Sequence, residues 1–281
     1  MVLRRYYPSG DLTKDDLRIA GKMKSDFKGS SADDLQGSVA LSSITLWRDT
    51  IDSKIKNFNL DVRQLVENRK EIKLNSDFAE GELDGNFSFN DLPHSLLAFA
   101  KYTFTKDYAD TITGKNPQNL NFDLRIYEPG NFTRIIHPLF YKLNSSHLKG
   151  SYNSSKHQLD FSASIPEIAF GNFTVRRADV DVKAINGVFN FQTSIDKVYS
   201  GDSLLLDTVN LLANRHGENF DVNVMVADKH RFNYADITAY ITPLKEKSVV
   251  RLDTSDVKLG NYNWHFKPDN FIYVDGKKIT T

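Results

Sequence analysis

Side chains placed to do chemistry are few in this chain. Its seven histidines, His94, His137, His147, His157, His216, His230 and His265, are scattered. None stands in H-E-x-x-H, which would set two imidazoles one helical turn apart around a metal, and none forms a close pair at ligand spacing. Each reads as a surface or rim residue. There is no P-loop, no G-x-G-x-x-G after a strand and no G-x-S-x-G elbow. Ser25-Asp-Phe-Lys28, Ser146-His-Leu-Lys149 and Ser194-Ile-Asp-Lys197 match S-x-x-K. That spacing activates serine only on a buried helix, where Ser and Lys lie one turn apart; all three segments read as strand.

The acidic pairs Asp33-Asp34 and Asp179-Val-Asp181 have the composition of calcium ligands or glycosidase carboxylates. Asp179 and Asp181 fall on the polar side of an alternating strand, where solvated charge is the default. Asn86-Phe-Ser, Asn131-Phe-Thr and Asn172-Phe-Thr fit the glycosylation acceptor pattern, as chance allows in so Asn- and Ser-rich a chain. No enzyme, metal or cofactor is indicated.

The bulk properties agree. The 281 residues are 40% hydrophobic and 26% charged, with formal net charge zero. No global field recruits nucleic acid or an anionic membrane. Basic residues pair only at Arg4-Arg5, Arg176-Arg177 and Lys277-Lys278, without a stacking platform beside them, so nucleic acid is not an expected partner. The absence of cysteine excludes thiol chemistry and disulfides. No segment has the length of a signal-peptide core or a spanning helix. The C-terminal Tyr273–Thr281 starts another strand after Asp275-Gly276, so the chain reads as an internal piece of a longer protein.

What the sequence does contain is alternation. Leu120, Phe122, Leu124 and Ile126 alternate with polar residues and share one face of a strand. The pattern recurs at Ile72, Leu74 and Phe78; Leu83, Phe87 and Phe89; Leu159, Phe161, Ala163 and Ile165; and Ala178, Val180, Val182 and Ala184. It continues through Phe189, Phe191 and Ile195; Phe220, Val222, Val224 and Val226; Ala235, Ile237, Ala239 and Ile241; and Tyr262, Trp264 and Phe266. Turn signals between these runs predict roughly 18–20 strands in an all-β chain. At ~4.8 Å per strand, one continuous sheet would run ~90 Å. Glycines inside the runs predict bulges that curve it.

Two segments depart from period two. Asn90–Phe104 offers a capping Asn or Asp, a first-turn Pro93 and apolar residues at helical spacing, which predicts a helix near 91–106. Phe132, Ile135, Ile136, Leu139, Phe140 and Leu143 carry a helical stripe over 132–143, with Pro138 set to end or kink it near His137. Each helix is read as a plug over one end or edge of the sheet, with membrane-surface docking as the alternative.

The 19 Phe and 12 Tyr fall mostly on the apolar faces. From periodicity alone they fit either the dry core of a sandwich or a wide apolar lining. Three stretches bear on the choice: Asp26-Phe-Lys-Gly29 with Ala32–Leu41 and Leu46-Trp-Arg-Asp49; Leu83–Pro93 with the helix that follows; and Leu259–Asp275. Together they resemble the TamB-type translocation and assembly modules of Bacteroidetes, within the AsmA-like superfamily.

That resemblance implies a β-taco: a single continuous, curved, mostly antiparallel sheet over residues 1–281 with an open hydrophobic groove. It implies a periplasmic bridge, anchored in the inner membrane by a segment absent here, that carries phospholipid to the outer membrane and supports protein assembly there. The expected partners are phospholipid acyl chains and, through regions absent here, an outer-membrane assembly-type β-barrel. The expected groove lining is Ile72, Leu74, Phe78, Leu120, Phe122, Leu124, Leu159, Phe161, Val180, Val182, Phe189, Phe191, Phe220, Val222, Val224, Tyr262, Trp264 and Phe266. The rival expectation is a structural or adhesive cell-surface β-sandwich that buries the same residues.

Overall fold

A computed structural model describes residues 17–65, 69–104, 116–244, 247–268, 270–275 and 278–280. These form one large open antiparallel sheet with two short helices. The chain mostly pairs each strand with the next. β1 (Leu17–Lys28), β2 (Gln36–Arg48) and β3 (Ile51–Gln64) are long; β4 (Lys70–Ser76), β5 (Ala79–Asn86) and β6 (Asn119–Ile126) are short. The ladder continues through β7 (Phe140–Leu143), β8 (Ser146–Asn153), β9 (Gln158–Phe170), β10 (Phe173–Ile185) and β11 (Val188–Ser200). Then come β12 (Ser203–Leu206), β13 (Thr208–His216), β14 (Asn219–Ala227) and β15 (Asn233–Pro243). β16 (Ser248–Leu252), β17 (Ser255–Leu259), β18 (Tyr262–Phe266), β19 (Asn270–Asp275) and β20 (Lys278–Thr280) complete it.

Several of these are halves of one longer strand. β7 and β8 both pair with β9, β12 and β13 with β11, and β16 and β17 with β15. The first two breaks lie on one line. Asn144, between β7 and β8, faces the part of β9 where Pro166 interrupts the pairing with β10. Opposite it, Arg177 of β10 has φ 52° and Asp196 of β11 is skipped in the register; the line ends at Asp207 between β12 and β13. A similar crease crosses β1–β3, where Ser43 (φ 52°) lies beside Gly21 and Lys56.

These irregular residues keep the sheet two-faced. A strand that simply ran on would alternate without change. In β2 the apolar residues instead step from Leu41 by three to Ile44, and in β3 from Phe58 by three to Ile55. Leu41, Ile44, Leu46, Ile55 and Phe58 nevertheless pack into one cluster, because the left-handed residue at the crease flips the alternation.

The helices fill gaps at opposite ends of the strands. α1 (Leu92–Phe104) interrupts the β5–β6 hairpin and lies over the ends of the strands from β5 to β14. α2 (Phe132–Ile136) occupies the notch left because β4–β6 stop short while β3 and β7 run on. Phe132 meets Phe78, at the β4–β5 turn, with ring centroids 4.5 Å apart. The expected helix over 132–143 is thus cut to its first turn. Pro138 ends it, the last α2 residue is Ile136, and Phe140–Leu143 becomes β7 against β9.

Gly150 of β8 faces Phe122 on one side and Phe161 on the other. The two rings approach over it, 6.2 Å apart, and a Cβ there would sit 2.9 Å from the Phe122 ring and 2.4 Å from the Asp160 carbonyl oxygen. Gly150→Ala is therefore expected to destabilise the chain by about 1–3 kcal/mol, read as a lower urea midpoint.

Candidate functional site

Residues opposite one another in a ladder share a face, so the pairing places the expected lining residues directly. One row runs Val39, Leu60, Leu74, Gly81, Leu124, Leu148, Ala163, Val180, Thr193, Leu211, Val224 and Ile237. A second runs Val62, Ile72, Leu83, Phe122, Gly150, Phe161, Val182, Phe191, Ala213, Val222 and Ala239. A third, at the strand ends beneath α1, contains Leu120, Tyr152, Leu159, Ala184, Phe189 and Phe220.

Fourteen of the eighteen expected positions lie in these three rows. Trp264 joins through Val257 to Ala235 and Val226, flanked by Tyr262 and Phe266. Tyr262 (72% exposed) and Trp264 (44%) stand far more open than the rest. The remaining position, Phe78, belongs to the cluster under α2. Val39, Leu60, Leu148 and Leu211 complete the first row although the strand pattern did not single them out; the polar–apolar alternation around Val39 and Leu41 was the available signal.

Between this face and α1 opens a cavity of about 420 Å³, lined by Ile72, Leu74, Leu83, Leu92, Leu96, Leu120, Phe122, Leu124, Tyr152 and Leu159. That is within the roughly 300–1,000 Å³ of small-molecule pockets. Its exposed lining is almost wholly apolar carbon; Glu82 and Asp123 also border it, and the Tyr152 hydroxyl is engaged by Ser95, so the space suits an apolar chain.

Polar side chains fasten α1 at both ends. The Tyr152 hydroxyl lies 2.7 Å from Ser95 Oγ and donates to the Ser95 carbonyl at 2.9 Å, with Tyr152 only 2% exposed. Buried Arg215 donates from Nη1 to the carbonyls of Thr103 (2.6 Å) and Tyr102 (3.2 Å), satisfying the last turn of the helix. Before the helix, fully buried Gln118 accepts from the Ser88 N–H at 2.9 Å. Asp33, from the β1–β2 turn, accepts from Lys70 Nζ (3.0 Å), Ser88 Oγ (2.9 Å), the Phe89 N–H (2.6 Å) and Asn90 Nδ2 (2.8 Å). α2 is held the same way: buried Arg48 donates to the Ile135 carbonyl at 2.8 Å.

The other sequence candidates stay apart from the cavity. Asp179 and Asp181 are exposed on the polar face. Asp34 serves its own turn, accepting from the backbone and hydroxyls of Ser30 and Ser31, which hold its pKa well below the carboxylate range. His147 pairs with Asp123 at 2.9 Å, His216 with Asp221 at 3.5 Å and His265 with Asp256, all on the solvated side. Among the described residues no cluster of three or more His, Asp or Glu is arranged to hold a metal, and no helix is long and apolar enough to cross a membrane. The chain matches no family model, no curated protein and no solved structure.

Burial raises the Asp33 pKa, but the hydrogen bonds from Lys70, the Phe89 N–H and Ser88 outweigh it and bring the value from 3.8 down to about 2. A depressed folded-state pKa contributes stability that is complete above the unfolded value and lost as pH falls through the folded one. Stability should therefore fall between pH 3.8 and about 2 more steeply in the native chain than in Asp33→Asn, measured by urea unfolding across that window.

Proposed function

We propose that this chain is a non-enzymatic segment of a TamB/AsmA-like lipid-transfer bridge, whose apolar face carries phospholipid acyl chains between the inner and outer membranes. The observation that carries the proposal is the pair of long, mainly apolar rows, each crossing more than ten strands of one sheet. An acyl chain leaving water is stabilised by ~0.8 kcal/mol per CH₂, so a 16-carbon tail meets a barrier on the order of 12 kcal/mol if it crosses an aqueous gap unaided. A floor of Leu, Val and Phe side chains removes most of that barrier at every step, while the headgroup stays in solvent. Uniform, weak contact suits such a path better than one tight site, which would halt movement.

In this reading the floor is a groove, and the membrane anchor and the outer-membrane assembly-type β-barrel partner belong to other parts of a longer periplasmic protein. The cell-surface sandwich reading requires the same rows to be dry. The half-exposed Leu74, Phe122, Leu124 and Val224, and the cavity above the first three, speak for the conduit.

Phe122→Asp puts a carboxylate in the second row, and Val222→Asp does so six strands away. Each is expected to abolish lipid adducts from a photo-crosslinker on the apolar face while circular dichroism still reports the sheet. Undiminished lipid crosslinking in both variants would remove this face from the lipid path.

A further inference from the structure

We infer that α1 is a displaceable cover: it rests over the strand-end side of the apolar floor and swings off when acyl chains enter from that side. The inference deepens the conduit reading and rests on it. α1 is built unlike a permanently buried helix. Toward the sheet it buries Ser95, Ala98 and Thr103, small residues, with Phe99 as the one large side chain. Its other large apolar residues stay about half open: Leu97 is 57% exposed, Leu96 over the cavity 40%, and Phe104, against Phe189 and Phe220, 46%. A helix whose place is fixed by packing buries its large apolar residues; α1 buries chiefly small ones and leaves Leu96, Leu97 and Phe104 partly open.

The two helices differ in how they sit. The backbone of α2 runs close along β2, β3 and β7, whereas α1 meets the sheet chiefly through side chains. The apolar cavity lies beneath it, with Leu92 and Leu96 as its roof and Phe122 and Leu159 in its floor. α1 is held by the rings of Phe99 and Phe104 on the sheet and by discrete polar bonds, Tyr152 to Ser95 and Arg215 to the carbonyls of Tyr102 and Thr103. Such bonds set a threshold, because opening leaves buried polar groups to be reached by water. An acyl chain lying along the third row would replace the Phe99 and Phe104 contacts with its own and could offset that threshold. Lipid then enters the floor laterally, past the helix, and the clasp keeps the floor covered without lipid.

The chain lacks cysteine, so labels can be placed at will. Spin labels at Leu97→Cys and at Lys149→Cys on β8 report the separation of helix and sheet, and a photo-reactive amino acid in place of Leu124 reports lipid. The probe is vesicles of phosphatidylethanolamine and phosphatidylglycerol. The expected result is a longer, broader distance distribution with vesicles, and adduct formation about tenfold faster in Tyr152→Phe, as the loss of one buried hydrogen-bonding set implies. Arg215→Gln should act in the same direction, with a urea midpoint confirming that each variant folds. Adducts at Leu124 with an unmoved distance and native rates in both folded variants would make α1 a fixed wall and overturn this inference alone. No adduct in any of these proteins would overturn the conduit reading, and the cover with it.

Discussion

The structure depends on keeping apolar side chains in phase from strand to strand. A slip of one residue in any ladder would send a whole strand's Leu, Val and Phe to the wet face. The register holds from Val39 to Ile237 across successive antiparallel pairs, and where long strands bend, the bend is made at residues that can absorb it. Ser43 and Arg177 take up left-handed backbone, and Pro166 lies where a ladder hydrogen bond is already lost. The creases and the continuous apolar face are thus one property: the irregular residues are absorbed without exchanging the two sides.

The helices follow from the same constraint. Strands of unequal length leave part of a greasy face without a neighbour, and α2 fills the notch beside the short β4–β6 hairpins with Phe132 and Ile135. Neither helix is long enough to be stable alone. Both end on a buried strand arginine that accepts the duty of a cap, Arg215 for α1 and Arg48 for α2. This explains why charged residues occur inside an otherwise apolar pattern at those two positions.

Most of the sheet was legible because period two is local. Leu120–Ile126 or Phe220–Val226 declares its face without reference to anything else, and the pairing placed those faces side by side. The phase flips were not legible: a Ser at 43 or an Arg at 177 has no intrinsic need for positive φ, and acquires it only from neighbouring strands that bend at the same level. The stripe at Phe132–Leu143 fitted a helix and proved half helix, half strand, because Pro138 decided the boundary and β9 offered Phe140–Leu143 a ladder. The clasp around α1 was invisible for a different reason. Asp33, Gln118, Tyr152 and Arg215 are far apart in sequence, and no short-range pattern brings them to Ser88, Ser95 and Thr103.

The nearly sequential ladder has a further consequence. Since β8 to β11 each touch chiefly their chain neighbours, the sheet behaves as a linear array whose cohesion is a sum of adjacent interfaces. Such an array can gain or lose a hairpin by duplication or deletion and close up with its two sides still aligned, provided whole pairs are exchanged. The length of the sheet then becomes a quantity that evolution can adjust in steps of two strands, roughly 10 Å at a time.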